Sequence, residues 1–197
     1  SFLDTCRYAF DYGFEGFEIY DAIKERSGHH DSILRRDRIA DAHRKLVNRN
    51  LSVCALRMPY PIESEETTAE LVEKYVNMAA VSGIENIIVR AESKTDFAVL
   101  DEKMSVAIKR AEETDVNILF ETVGYLAKTE NVIDIINHFA SAAIGASWNV
   151  RSTYFGAGEN AETTIKNLGA YIKYVRLGDM KDGKTVLIGE GDLDVEK

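Results

Sequence analysis

Charged and polar side chains recur at the ends of six short apolar runs in this chain. In order they are Glu18 and Asp21, Arg57, Arg90 and Glu92, Glu121, Asn149 and Arg151, and Arg176 and Asp179. Four of them are arginines. A guanidinium stays charged under ordinary conditions, and its planar fork matches a carboxylate or a phosphate. Two such charges 4 Å apart repel by about 1 kcal/mol in water and by about 4 kcal/mol at an effective dielectric of 20. A cluster of arginines therefore needs counter-charge, which Glu18, Glu121 and Asp179 can supply in part and a bound anion can complete. Ordinary ion pairs at a rim are the competing reading of any single position.

Other residues carry weaker signals. His29 and His30 lie in SGHHDS, read as a surface loop with substrate contact as the alternative. His43 and His138 fall inside helical patterns and read as structural. Trp148 closes an apolar run, where core packing and a substrate wall are equally good readings. The GEGD at 189–192 lacks the Lys and Ser/Thr of a phosphate loop and reads as a tight turn. No Ser-His-Asp or Cys-His constellation can be assembled.

The elements that must position these residues alternate along the chain. Apolar, β-branched runs at 16–20, 51–56, 86–89, 116–120, 144–148 and 171–177 start roughly thirty residues apart, the length of one βα unit. Between them lie patterns of helical period. Ile33, Ile39, His43, Leu46 and Val47 mark one, opened by Ser32 as N-cap. Leu71, Val72, Tyr75, Val76, Met78 and Ala79 mark another, closed by Gly83. Further helices are expected around Met104–Ile108–Ala111, around Val132–Ile136–Phe139 and after Asn160. Pro59 and Pro61, the only prolines, fall in a loop after the second run. Strands this apolar suit a parallel sheet covered by helices, either doubly wound or closed into a barrel. In both, polar groups past the C-terminal strand ends form the site.

Composition narrows the function. The chain has 197 residues and a net charge of −9, which argues against nucleic acid as a partner. The longest mostly apolar stretch, 139–148, is too short to cross a bilayer, which takes roughly 20 residues. Cys6 and Cys54 lack metal or redox spacing and read as reduced, buried residues in a cytoplasmic protein.

Several motifs resemble one family. GFEGFEIY looks like the second strand of the xylose isomerase-like TIM barrels, which include sugar phosphate isomerases and epimerases and endonuclease IV. ILFETVG resembles the fifth strand. SWNVRSTYFGAGENAETTIKNLGAYIKYVRLGDMKDGKTVLIGEGDLD resembles the sixth and seventh units, where the usual forms are a W-D strand end, an H-V-H-x-K-D strand end and a G-E-G-D turn. The resemblance implies a (β/α)8 barrel of about 250 residues. With six βα units, residues 1–197 are expected to be a single, incomplete barrel domain lacking the first and eighth strands. Its open sheet edges would be covered by a flanking domain or a second copy.

The resemblance also implies an isomerase or epimerase of carbohydrate metabolism that holds a divalent metal (Mn, Zn, Co or Mg) through Glu, Asp, His and Glu. Here the first glutamate is Glu121, the aspartate position is Asn149, the histidine position is Arg176 and the lysine of K-D is Gly178. Asp179 is kept. Arginine has no lone pair to give a metal. The leading expectation is therefore a family barrel without the metal, binding a small, anionic, sugar-like ligand. Arg57, Arg90, Asn149, Arg151, Arg176, Asp179 and Trp148 would hold that ligand, with Glu121 and Glu18 as acid/base groups. A metal-dependent isomerase using Glu121, Asn149 and Asp179 is the second reading, and a non-catalytic barrel module of a larger protein is the third. An endonuclease ranks last.

Overall fold

The computed structural model describes residues 2–23 and 39–194. His29, His30, Ser32 and Ile33, and the side chains of Ile39 and His43, lie outside that description. Six parallel strands form one sheet in chain order: β1 (Gly16–Tyr20), β2 (Ser52–Arg57), β3 (Asn86–Val89), β4 (Asn117–Glu121), β5 (Ile144–Asn149) and β6 (Ile172–Arg176). The sheet curls into a half-barrel with helices on its outer face, the architecture the βα alternation anticipates. Helix α1 (Phe2–Asp11) precedes β1. Then α2 (Ile39–Val47), α3 (Ala69–Ser82), α4 (Phe97–Thr114), α5 (Thr129–Phe139) and α6 (Ala161–Leu168) alternate with the strands.

The helices form where the apolar period and the caps agree. In α3, Val72, Tyr75, Val76 and Ala79 make the buried stripe. Thr68 accepts a hydrogen bond from the Leu71 amide at its start, and Gly83 ends it in the left-handed conformation at φ 66°. In α4, Leu100, Met104, Ala107, Ile108 and Ala111 do the same between the cap Asp96 and a left-handed Asp115. Asn160 caps α6 as expected, accepting from the Thr163 amide at 2.9 Å.

Alternation along each strand divides the core into two layers. Leu56, Ile87, Val89, Ile118, Phe120, Ile144 and Ala146 face outward and pack under the helices. Ala55, Ile88 and Leu119, all buried, form the inner layer with Tyr174 against them. Burying a side chain such as Leu119 contributes about 1.5–3 kcal/mol. Two irregularities adjust this inner face. Pairing slips at Cys54, so Glu18 lies beside Ala55, and it slips again at Lys173, so Tyr174 lies beside Ser147. Gly16 allows the first slip, because a Cβ there would sit 2.6 Å from Cys54 Sγ and 2.7 Å from the Ser52 carbonyl oxygen.

After β6 the chain forms a hairpin of β7 (Asp179–Lys181) and β8 (Lys184–Val186). Asp182 and Gly183 turn it at φ 50° and 75°, the two-residue turn that Asp-Gly favours. Both cysteines are free, and no helix among the described residues is long and apolar enough to cross a membrane.

Candidate functional site

The inner face changes character one step above its apolar layer. Two residues beyond Ala55, Leu119 and Tyr174 stand Arg57, Glu121 and Arg176. Asn149 follows Ser147 by the same step and pairs directly with Arg176 in the sheet register. The strand period of two thus lifts one charged or polar tier onto a greasy floor at the C-terminal ends of the strands.

Glu121 is the centre of this tier, with no exposed side-chain surface. Arg57 Nη2 donates to its Oε2, and Asn149 Nδ2 donates to its Oε1 at 3.0 Å. Arg176 Nε lies 3.3 Å from the same Oε1 as an ion pair. The guanidinium of Arg176 then reaches across the open side of the half-barrel, where its Nη2 donates to Glu18 Oε2 on β1. Curling of the sheet brings these residues of the two outermost strands together although they are 158 positions apart in sequence. Glu18, Arg176, Glu121 and Arg57 form a continuous chain of alternating charge whose formal sum is zero.

Burial and neighbouring charges set the state of Arg176 and Tyr174. Burial works against the cation at Arg176, but the hydrogen bond and charge of Glu18 and the charge of Glu121 outweigh it, raising the pKa above its ordinary value. Burial, followed by the charge of Glu18, pushes the Tyr174 phenol up, so it stays a neutral hydroxyl. Asn149 is a clamp as much as a site residue. While its amide N–H holds Glu121, its Oδ1 accepts from the Ser152 amide at 3.1 Å, tying β4 to the π-helical turn Ser152–Gly156.

The tier also leaves groups open. Among the described residues, Nη1 of Arg57, Nη1 of Arg176 and Oε1 of Glu18 have no hydrogen-bond partner. The Nε atoms of Arg57 and Arg176 are buried without one as well. The side chains of Arg57 and Arg176 remain 20% and 33% exposed, so solvent or a ligand can approach them.

Other residues expected at the site lie outside this inner tier. Arg90 donates from Nη2 to the Pro59 carbonyl at 2.8 Å and lies 3.4 Å from Glu92, buttressing the loop after β2. Arg151 sits at the rim, its aliphatic stem against Gly178, and its Nη1 donates to Thr185 Oγ1 at 3.1 Å. Trp148 faces outward between the inward Ser147 and Asn149. Its indole N–H donates to Thr153 Oγ1 at 2.9 Å, and it lines an open cleft of about 590 Å³ with Val175, Leu177 and Ile188. Asp179 is buried, and its carboxylate accepts from the amides of Met180, Gly189, Gly191 and Leu193 at 2.8–3.0 Å. It pins the 189–193 turn, and a Cβ on Gly191 would overlap it. Tyr174 belongs to the inner wall and was not among the expected ligand contacts. Its one signal is its position two residues before Arg176.

Among the described residues, no three His, Cys, Asp or Glu side chains gather in a way that could hold a metal ion.

A parallel βα half-barrel with its polar tier at the C-terminal strand ends defines a barrel protein of the TIM type. The chain belongs to the xylose isomerase-like TIM barrel family, whose model matches residues 6–197. Solved structures share the fold at low identity. The 3-keto-D-glucoside 4-epimerase YcjR from E. coli aligns with a TM-score of 0.76 at 15% identity, over 98% of this chain and 78% of that one. A xylose isomerase domain protein from Planctomyces limnophilus aligns at 0.75 and 14% identity, over 97% and 78%. The IOLI protein, solved with a bound zinc atom, aligns at 0.74 and 16% identity, over 100% and 77%. At these identities the likeness shows the fold alone. No curated protein matches the sequence.

Proposed function

We propose that this barrel binds a small sugar-like molecule carrying a carboxylate or phosphate, and that it does so without the family's divalent metal. The observation that carries this reading is the guanidinium of Arg176 lodged between Glu18 and Glu121. Together with Arg57 on the far side of Glu121, it already neutralises the two carboxylates there, and a guanidinium has no lone pair to offer a metal. The two remaining candidates for a ligand set are equally unsuited. Asn149 turns its amide N–H toward Glu121, and both oxygens of Asp179 are taken by backbone amides. The donor set does not fit a divalent ion.

It does fit an oxygen-rich ligand. The open Nη1 groups of Arg57 and Arg176 offer donors to a carbonyl or hydroxyl oxygen, and the open Glu18 Oε1 offers an acceptor. The inner four charges cancel, so the ligand's acidic group falls to Arg151, whose partner among the described residues is the neutral Thr185 hydroxyl. Glu18 is the better placed acid/base of the two glutamates. Glu121 has both oxygens engaged by Arg57 and Asn149, whereas Glu18 keeps one oxygen open. The reaction class is that of the family, isomerisation or epimerisation of a carbohydrate derivative.

Thermal shift in the presence of EDTA tests the reading, using sugar phosphates, sugar acids and the matching neutral sugars. Stabilisation by acidic sugars that weakens about tenfold or more in Arg151→Ala is the expected result, the lower range for a charge-assisted hydrogen bond. Stabilisation only after Mn²⁺ or Zn²⁺ is added would overturn it.

A further inference from the structure

We infer that Arg176 supplies the electrophile for proton transfer next to a carbonyl, so the chemistry of this barrel is metal-independent enolisation of an α-hydroxycarbonyl sugar acid or phosphate. This rests on the ligand reading above and goes beyond it by assigning the step and the reacting groups. Three observations carry it. The guanidinium is hydrogen-bonded to Glu18 through Nη2 and has the Glu121 carboxylate 3.3 Å from Nε as an ion pair, and neither contact uses Nη1. Arg57 presents a second guanidinium to the same carboxylate, Glu121 Oε2, with its own Nη1 open. Glu18, paired to Arg176, retains one oxygen with no donor among the described residues. A fixed cation next to an open carboxylate is the pairing that enolisation needs, because a base must act where developing oxyanion charge is already met.

The step balances within the site. A carbonyl oxygen of the substrate accepts from Arg176 Nη1. Glu18 takes the proton from the adjacent hydroxyl-bearing carbon. The C–H electron pair becomes a carbon–carbon double bond, and the carbonyl π pair moves to oxygen as an enediolate held by the guanidinium. Protonated Glu18 then returns the proton to the former carbonyl carbon, while the hydroxyl hydrogen passes to the neighbouring oxygen. The net change is a carbonyl shift between adjacent carbons, with no oxidant, reductant or further reactant consumed.

The competing account is that the same four side chains are a structural ion-pair chain. Arg176→Lys and Glu18→Gln separate the two, since each keeps a partner in place for folding. The full chain would be incubated in D2O with EDTA and D-fructose 6-phosphate, D-ribulose 5-phosphate or D-glucuronate. Deuterium at the carbon next to the carbonyl would be read by proton NMR, and binding of each probe by thermal shift. The expected result is incorporation unaffected by EDTA, lowered about 100-fold or more in Glu18→Gln and at least about 100-fold in Arg176→Met, the scale of losing one oxyanion donor. Arg176→Lys should recover part of the loss. A probe that binds but exchanges no deuterium overturns the enolisation while leaving the ligand reading intact. Exchange in Arg176→Met at the native rate also overturns it, as does exchange that requires added Mn²⁺ or Zn²⁺. Failure of every probe to bind overturns both.

Discussion

Replacing Asn149 by aspartate changes a single amide nitrogen to oxygen, yet it inverts the central contact of the site. The Asn149 amide donates to Glu121 Oε1 at 3.0 Å, and both residues are buried, at 6% and 0% exposure. In Asn149→Asp, two carboxylate oxygens face each other at that distance. Two unit charges so placed repel by about 5 kcal/mol at an effective dielectric of 20, and Arg57 and Arg176 offset part of this. The new carboxyl relieves the rest by holding a proton more tightly in the folded than in the unfolded state. A group with a raised folded pKa contributes stability at low pH that is lost as pH rises through that pKa. The variant's deficit should therefore be small near pH 5 and grow to about 2–4 kcal/mol at pH 8, the range for an unsatisfied buried charge contact. Urea unfolding of both proteins at the two pH values measures it. Equal stability at pH 8 would refute the reasoning, as would full rescue of Asn149→Asp by Mn²⁺ while Arg176 is still present. Either would mean that the site accommodates a second anion, as a metal centre does.

Other expectations follow from the same packing. Leu119→Ala, which opens the floor beneath Glu121, should cost about 2–5 kcal/mol in urea unfolding; a loss below about 1 kcal/mol would show that the inner layer is not close-packed. At Asp179, burial pushes the carboxyl up, but the backbone donors at Leu193, Gly191, Met180 and Gly189 outweigh it and its pKa is lowered. A depressed carboxyl stabilises above its unfolded value, about 3.9, and loses that contribution as pH falls below it. Hydrogen exchange at the Gly189, Gly191 and Leu193 amides should therefore stay slow at pH 5 and quicken as pH drops below about 4, and Asp179→Asn should lack this dependence. Gly191→Ala, whose methyl would overlap that carboxylate, should loosen the same amides without altering those of β4.

The strand ends were legible because a period of two and a βα spacing locate them without knowledge of any contact. Glu18, Arg57, Glu121, Asn149 and Arg176 all stand on the inner face for that reason. Their pairing was not legible. Glu18 meets Arg176 only because the sheet curls, and local sequence carries no trace of a contact between residues so far apart. Arg90 and Arg151 sit at strand ends by the same rule, but loop conformation past the strand turns one to Pro59 and the other to Thr185. Asp179 illustrates a third case. A motif aspartate next to a Gly-rich turn reads as a ligand, whereas its four amide donors come from backbone that the Gly-rich turn itself exposes. The β7–β8 hairpin had a sequence signal, Asp182-Gly183, that the helical and strand periods overshadowed. The orientation of Trp148 follows from alternation once Asn149 is fixed inward.

The central question is whether Arg176 takes the position that a divalent ion would otherwise fill. Elemental analysis of the protein, purified without chelators or a polyhistidine tag and dialysed, tests this most directly. With Arg176 in that position, the protein should hold far less than one equivalent of Mn, Zn, Co or Mg per chain and show no thermal stabilisation when these ions are added. One equivalent retained through dialysis and lost with activity on EDTA treatment would contradict it.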